Sequence, residues 1–249
     1  MLRVGVFGAG GRMGATVCGA VKADPDLELA GAVDPNHVGE QVEGVAIEEQ
    51  MPEVDVVVDF THVTAARENI RWAAEHGVHA VVGTTGLNSD DFERFGAAFT
   101  KSNCVIAPNF AIGAVLMMRM AELAAPYFDT AEIIELHHDG KIDAPSGTAM
   151  STAARMAAAK PSWAPDPTKE EVVEGARGGE GPSGIHVHAI RMRGMVAHQE
   201  VILGTTGQTL TIRHDTTDRS SFMPGVLLAV KRVADRPGVT VGLDAVLGL

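Results

Sequence analysis

The chain has 249 residues, with 20 lysines and arginines against 32 aspartates and glutamates and a formal net charge of −12. Such a chain lacks the positive field behind most nucleic-acid affinity and is repelled by anionic membranes, so an anionic partner must be caught by a local cluster. Aromatic residues at 4 % are too few for a base-stacking platform, the length suits one or two domains without disulfide staples, and two cysteines, Cys18 and Cys104, fit a reducing compartment.

No basic, apolar leader pattern opens the sequence, and no run of about 18 apolar residues occurs, so a cytoplasmic protein that spans no membrane is expected. Up to Gly83, short β-branched runs alternate with helical stretches. Residues 3–7, 27–33, 54–60 and 79–82 are nearly continuous in apolar residues, as strands buried on both faces of a parallel sheet are. Helices are expected over 13–23, 64–76 and 89–100, the last capped by Ser89 ahead of Asp90, Asp91 and Glu93. A strand at 104–107 extends the β-α-β repetition, which implies right-handed crossovers and a doubly wound α/β sheet.

The texture changes after Asn109. Residues 112–125 read as a helix, 131–137 as a strand and 146–159 as an alanine-rich helix opened by a Ser146 cap. The stretch 160–184 is rich in proline and glycine with mixed charges and reads as a long mobile loop. An extended segment at 185–193 precedes strands at 200–204 and 208–214, joined as a hairpin by Gly204-Thr205-Thr206-Gly207. The last predicted helix, 222–234, holds Pro224 in its first turn, where proline is tolerated.

Two constellations carry chemistry. Gly8-Ala9-Gly10-Gly11-Arg12-Met13-Gly14 follows a strand and opens a helix, the context of a dinucleotide fingerprint. Glycine allows a tight turn and close approach of the backbone to a pyrophosphate, whose charge rests on the helix N-terminus. Met13 stands where the third glycine of the common form falls, so the loop reads as Gly8-x-x-Gly11-x-x-Gly14. Asp34, twenty residues after Gly14, ends the second strand, where a carboxylate accepts hydrogen bonds from an adenosine ribose. Pro35, Asn36 and His37 offer no arginine for a 2′-phosphate, so NADH is expected to serve at least as well as NADPH. The second constellation is Glu135-Leu136-His137-His138-Asp139-Gly140-Lys141-Ile142-Asp143-Ala144-Pro145-Ser146-Gly147-Thr148-Ala149. It sets two histidines and a lysine before a helix start, an anion trap beside a proton carrier.

These motifs, with Gly83-Thr84-Thr85-Gly86 and Ala107-Pro108-Asn109-Phe110, resemble the 4-hydroxy-tetrahydrodipicolinate reductases (dihydrodipicolinate reductases) of lysine and diaminopimelate biosynthesis. Gly113-Ala114-Val115-Leu116 and Val196-Ala197-His198-Gln199-Glu200 bring it nearest the actinobacterial branch. The resemblance implies hydride transfer from NADH or NADPH to C4 of a cyclic imine dicarboxylate, with the 4-hydroxyl lost as water. It implies His137 and Lys141 as catalytic residues, and His138, Gly147 and Thr148 as holders of a small-molecule dicarboxylate. Cofactor contacts fall to Gly8, Ala9, Gly10, Gly11, Arg12, Met13, Asp34, Gly83, Thr84, Thr85, Ala107, Pro108, Asn109 and Phe110, with no metal. The implied architecture is a Rossmann-type dinucleotide-binding domain of residues 1–111 and 221–249. Into it is inserted an α+β domain, 112–220, whose mixed sheet binds substrate and joins a homotetramer.

Other readings weigh less. His186, His188, His198 and His214 lack the cysteine or carboxylate pattern that completes a metal site. A nicotinamide-binding sensor would have no need of His137 and Lys141 at a helix start. A reductase for a semialdehyde or another imine shares the scaffold but not the need for a trap suited to two carboxylates.

Overall fold

The apolar runs of the N-terminal part form strands of one sheet in the computed structural model, which describes residues 1–249. In chain order come β1 (Leu2–Phe7), α1 (Arg12–Ala23), β2 (Leu27–Val33), β3 (Gln41–Val42), β4 (Val45–Glu48), β5 (Val56–Asp59), α2 (Val63–His76), β6 (His79–Val82), α3 (Ser89–Ala98) and β7 (Cys104–Ile106). The chain then leaves through α4 (Ile112–Ala124) and returns for α6 (Met223–Arg232), β13 (Val239–Val241) and α7 (Leu243–Leu247). Contacts divide it into one unit of Met1–Ile112 with Arg219–Leu249 and a second of Gly113–Asp218.

In the first unit the sheet order is β13-β7-β6-β5-β1-β2-β4-β3, parallel throughout except for the β3–β4 pair. Central strand β1 has Val4 and Val6 fully buried, as its lack of alternation predicts. β2 leaves β1 on one side and β5 flanks it on the other, so the order reverses at β1, where open α/β sheets bind ligands beyond the carboxyl ends of their strands. Phe7, Ile70, Phe95 and Ile106 pack in the core between this sheet and α2 and α3.

Several boundaries differ from the sequence reading. Asn88, not Ser89, caps α3: its side chain accepts the Asp91 N–H and the Asp91 carboxylate accepts the Asn88 N–H, a reciprocal box that Ser89 is placed too late to make. The predicted strand at 54–60 shortens to Val56–Asp59, and the helix at 222–234 to Met223–Arg232 between 3₁₀ turns. β3, β4, β13 and α7 were not foreseen.

The second unit has β8 (Thr130–His137), α5 (Gly147–Ala159), β9 (Gly179–Glu180), β10 (His186–Arg191), β11 (Ala197–Thr205) and β12 (Gln208–Thr216). Its sheet runs β12-β11-β8-β10-β9, with β8 and β10 parallel and the other pairs antiparallel, so it is mixed. Ile133, Val187, Val201 and Leu203 turn one face onto Ala149, Ala153 and Met156 of α5. Gly204 lies within β11, and the hairpin turn is Thr206-Gly207, with Gly207 at φ 79° in the left-handed region glycine favours.

The stretch 160–184 is pinned to this sheet and is not the free loop expected. Trp163 packs on the core, the Lys160 ammonium lies 5.2 Å from its ring centroid and donates to the Phe128 carbonyl, and the Ala164 N–H donates to the Asp129 carbonyl. Arg177 pairs with Glu132 and Asp166. No helix is long and apolar enough to cross a membrane.

Candidate active site

In the first unit, the glycine loop and Asp34 meet directly. Gly8 takes a φ of 75°, and its N–H donates to the Val33 carbonyl at 2.8 Å, which ties the turn to the end of β2. The Gly10 N–H donates to the Asp34 carboxylate at 3.1 Å. A side chain at Gly14 would place its Cβ 1.9 Å from the Gly8 carbonyl oxygen, so the last glycine is demanded by packing of α1 against the loop. No side chain caps α1, whose first turn therefore turns backbone N–H groups toward any anion over the loop. Arg12 is exposed at the head of that helix, Met13 is half-buried and Ala9 is buried.

Asp34 is nearly fully buried. Burial alone would raise its carboxyl, but hydrogen bonds from the Asn36 and Gly10 N–H groups and the His37 imidazole 3.2 Å away together hold it below the usual carboxylate range. Gly8, Asp34, Pro35, Asn36, Thr61 and Asn69 help line a cleft of about 750 Å³. Close-approach glycines, an uncapped helix start and an ionised acid in a cleft fit a dinucleotide.

The other predicted cofactor residues sit at the carboxyl ends of β6 and β7, and they divide in kind. A Cβ on Gly83 would lie 2.1 Å from the Phe60 ring. The Thr84 hydroxyl is committed to buried Asp59 at 2.7 Å, which also accepts from Thr61 and Asn69. Thr85 and Pro108 are exposed, while Ala107 and Phe110 are buried, so these last two offer a ligand only backbone. The Asn109 side chain accepts the Ala111 N–H at 2.8 Å and shapes the turn. Sequence reasoning missed Asp59, whose role is visible only once β5 and β6 pair.

In the second unit, Glu135 organises the site. Its side chain is fully buried on β8, facing α5. One oxygen accepts the Ser146 N–H at 3.0 Å, the other meets His137 Nδ1 at 2.5 Å, and Arg191 donates to both at 2.8 Å. Burial would raise the Glu135 carboxyl, but these donors, Arg191 foremost, hold it below the ordinary range. An ionised carboxylate only accepts, so the His137 proton on this side belongs to Nδ1 and Nε2 is left for chemistry. Burial pushes the His137 pKa down, with Lys141 and Arg191 adding to it against the opposing pull of Glu135, and the imidazole is neutral at pH 7.

Lys141 donates to both carboxylate oxygens of Asp143 at 2.7 Å. The His138 side chain is exposed, and its carbonyl accepts the Lys141 N–H at 3.1 Å. Ser146 caps α5 by accepting the Ala149 N–H, as predicted. A Cβ at Gly147 would meet nothing within 4 Å, so the helix start is open to solvent there. Glu135 and Arg191 carried no assigned role in the sequence reading. The one available signal was an acid two residues before His137, hence on the same strand face.

Family models described as dihydrodipicolinate reductase, N-terminus, and dihydrodipicolinate reductase, C-terminus, match residues 2–110 and 113–247. Among curated relatives, the chain is 49% identical over 256 residues to a 4-hydroxy-tetrahydrodipicolinate reductase of Cutibacterium acnes, covering 100% of both chains. It is 50% identical over 255 residues to one of Nocardia farcinica, covering 100% of this chain and 99% of the relative. Among solved structures it is similar to a dipicolinate-bound dihydrodipicolinate reductase from Paenisporosarcina sp. TG-14, with a TM-score of 0.88, 36% identity and 98% and 99% of the two chains covered.

Proposed function

The chain belongs to the dihydrodipicolinate reductase family, and we propose that it reduces 4-hydroxy-tetrahydrodipicolinate to tetrahydrodipicolinate in diaminopimelate and lysine biosynthesis. NADH or NADPH, when bound, supplies the hydride. The observation that carries the proposal is the Glu135-anchored His137 beside Lys141 at the open start of α5.

Each residue has work that follows from its setting. The α1 start at Arg12 and Met13 receives the pyrophosphate, which approaches over the backbone of Gly8, Gly10 and Gly11, whose own N–H groups are spent within the first unit, and Asp34 accepts from the adenosine ribose. The backbone of Ala107 and Phe110, with Asn109, Pro108 and the turn at Gly83, Thr84 and Thr85, borders the nicotinamide. The helix dipole at Gly147 and Thr148 receives one substrate carboxylate, and Lys141 and His138 the other. Lys141 starts from its pair with Asp143, an exposed aspartate, so a substrate carboxylate displaces one carboxylate with another and costs no bare cation.

Proton bookkeeping falls to His137. Overall, a hydride and a proton enter the substrate and the 4-hydroxyl leaves as water. His137 is neutral in the ligand-free protein, and a dianion arriving beside Nε2 raises its proton affinity, so the acid is charged when substrate is present.

Residues 1–111 and 221–249 form the cofactor-binding domain in this reading, and 112–220 the substrate-binding domain. Residues Ile134, Leu136, Ile190 and Ile202, on the sheet face away from α5, stay partly exposed, which supports a homotetramer joined through that sheet. A coupled assay tests the function: substrate generated enzymatically from pyruvate and aspartate semialdehyde is offered, and NADH absorbance is followed. No substrate-dependent loss of absorbance with either dinucleotide sinks the proposal.

A further inference from the structure

Glu135 sits where two separate tasks of the site meet. All four partners of its carboxylate are donors: the Ser146 N–H and one Arg191 nitrogen on one oxygen, His137 and the other Arg191 nitrogen on the second. About four lone-pair sites are what a carboxylate has, so none is spare. The Ser146 N–H opens the helix whose start receives a carboxylate, and the His137 ring carries the proton. One rigid, fully buried group therefore sets the distance between acid and anion trap. Arg191 holds that group from a different strand and also donates to the Asp143 carbonyl at 2.6 Å, so the turn bearing Lys141's partner is tied to the same fork.

We propose that Glu135 and Arg191 are positioning residues for the reduction, fixing the His137 proton on Nδ1 and locking the imidazole in register with the α5 start. The inference rests on His137 as the proton carrier. The charged groups facing His137 are few. Glu135 comes from its own strand, Lys141 and Asp143 from the loop that follows, and Arg191 from β10; the residue paired with it on β11 is uncharged Ala197. His198 is paired with Asp215.

Glu135→Gln cannot replace the acid by shape alone. Its amide presents one accepting and one donating end to four donors, so either the Ser146 N–H is orphaned or the imidazole proton moves to Nε2. With Nδ1 accepting from the amide, the ring no longer takes the second proton that makes it the acid, and an activity loss of about a hundredfold or more in kcat is expected. Arg191→Met acts oppositely on titration. It leaves a negative Glu135 against His137 without its counter-charge, so the alkaline limb of the kcat/KM profile, where the His137 acid loses its proton, moves up in pH. In Glu135→Gln the same limb moves down, because the group that favours the imidazolium is gone.

The test is nitrogen-15 NMR of the imidazoles in the ligand-free full chain, with the His137 signal assigned by its loss in His137→Gln, together with the pH profiles of both variants. Expected are an Nδ1–H tautomer in the parent, Nε2–H signal in Glu135→Gln, and limbs displaced in opposite directions. Arg191→Lys, which keeps charge but loses the fork, should fall between Arg191→Met and the parent in kcat. An unchanged tautomer in Glu135→Gln, or limbs that move together, overturns the proposal. Should Glu135→Gln fail to fold, the Arg191 pair decides: equal kcat and equal profiles in Arg191→Met and the parent refute it. Failure of the parent to turn over substrate would refute the proposed function alone, because the tautomer is read without turnover.

Discussion

Gly14→Ala sets two physical effects against each other. In the first turn of α1, alanine should stabilise by up to about 1 kcal/mol over glycine through backbone entropy and propensity. The structure predicts the reverse sign. The added Cβ would fall 1.9 Å from the Gly8 oxygen, 2.6 Å from its carbonyl carbon and 2.9 Å from Ala9 Cα, all backbone atoms that no rotamer change can remove. Since Cβ contacts under 3.0 Å are essentially never seen, α1 and the loop must part by about 1 Å or more, loosening the Gly11 N–H bond to the Gly8 carbonyl. Overpacking of this kind reaches about 3 kcal/mol, so the net expectation is destabilisation by about 2 kcal/mol and a fall in Tm of roughly 4–8 °C. NADH affinity should fall further, by about ten- to a hundredfold, because charge-assisted hydrogen bonds to a pyrophosphate are worth about 1.5–3 kcal/mol each. Gly10→Ala is the control. Its Cβ meets the His37 ring at 2.3 Å and the His37 Cβ at 2.8 Å, so His37→Ala in the same chain, which removes the ring but keeps the Cβ, should recover part of the affinity. Calorimetric titration with NADH and thermal melts decide it. If Gly14→Ala binds NADH within threefold of the parent and melts no lower, the steric account of the loop is wrong.

Further outcomes follow from the same geometry. His137→Ala should lower kcat by roughly 10²–10⁴-fold with little change in NADH binding, and steady-state kinetics showing kcat within about threefold would remove it as the acid. Lys141→Ala should lower kcat and raise KM together, since charge and orientation are both lost; a change confined to kcat would argue against its contact with substrate. Asp91→Ala should destabilise the first unit by about 1 kcal/mol, losing the reciprocal half of the α3 capping box and the Arg67 pair while the Asn88 cap itself remains. The Arg67 hydrogen bond holds the Asp91 carboxyl below its ordinary value, so its contribution is present above about pH 4 and fades as pH falls through that depressed value; urea midpoints of parent and variant should converge in acid. With Pro35 after Asp34 and no arginine beside it, NADH should match or exceed NADPH in kcat/KM. A preference for NADPH above about a hundredfold, near 2.7 kcal/mol, would contradict that reading.

The parallel strands were legible because burial on both faces makes each a short, continuous apolar run. β3, β4 and β13 were not, because, unlike the equally short β5, β6 and β7, these strands toward the ends of the sheet are half exposed and carry no continuous buried apolar run, so pairing with a neighbour defines them. At α3, Asn88 and Ser89 are both good caps, and only the reach of Asp91 back to Asn88 decides between them. The proposed catalytic string was readable because His137, Lys141 and Ser146 lie close in sequence. Arg191 was not, since it stands 56 residues from Glu135 and arrives only through the register of β10 on β8. Trp163 and Arg177 made the same difference to 160–184: composition reads as a loose loop, but one ring in the core and one guanidinium between two acids anchor it.

The return of the chain to its first unit has a consequence for the order of synthesis. β7 is flanked on its outer side by β13, the Asn103 side chain donates to the carbonyls of Val233 and Ala234, and Gly225 lies against the Phe110 backbone. The second unit, Gly113–Asp218, is continuous and is complete before any of these partners has been made. During translation the first unit thus waits with an open sheet edge and an uncovered helix seat while the second unit is already complete in sequence. A ribosome stalled short of residue 223 carries the whole sequence of the second unit and a first unit that cannot finish.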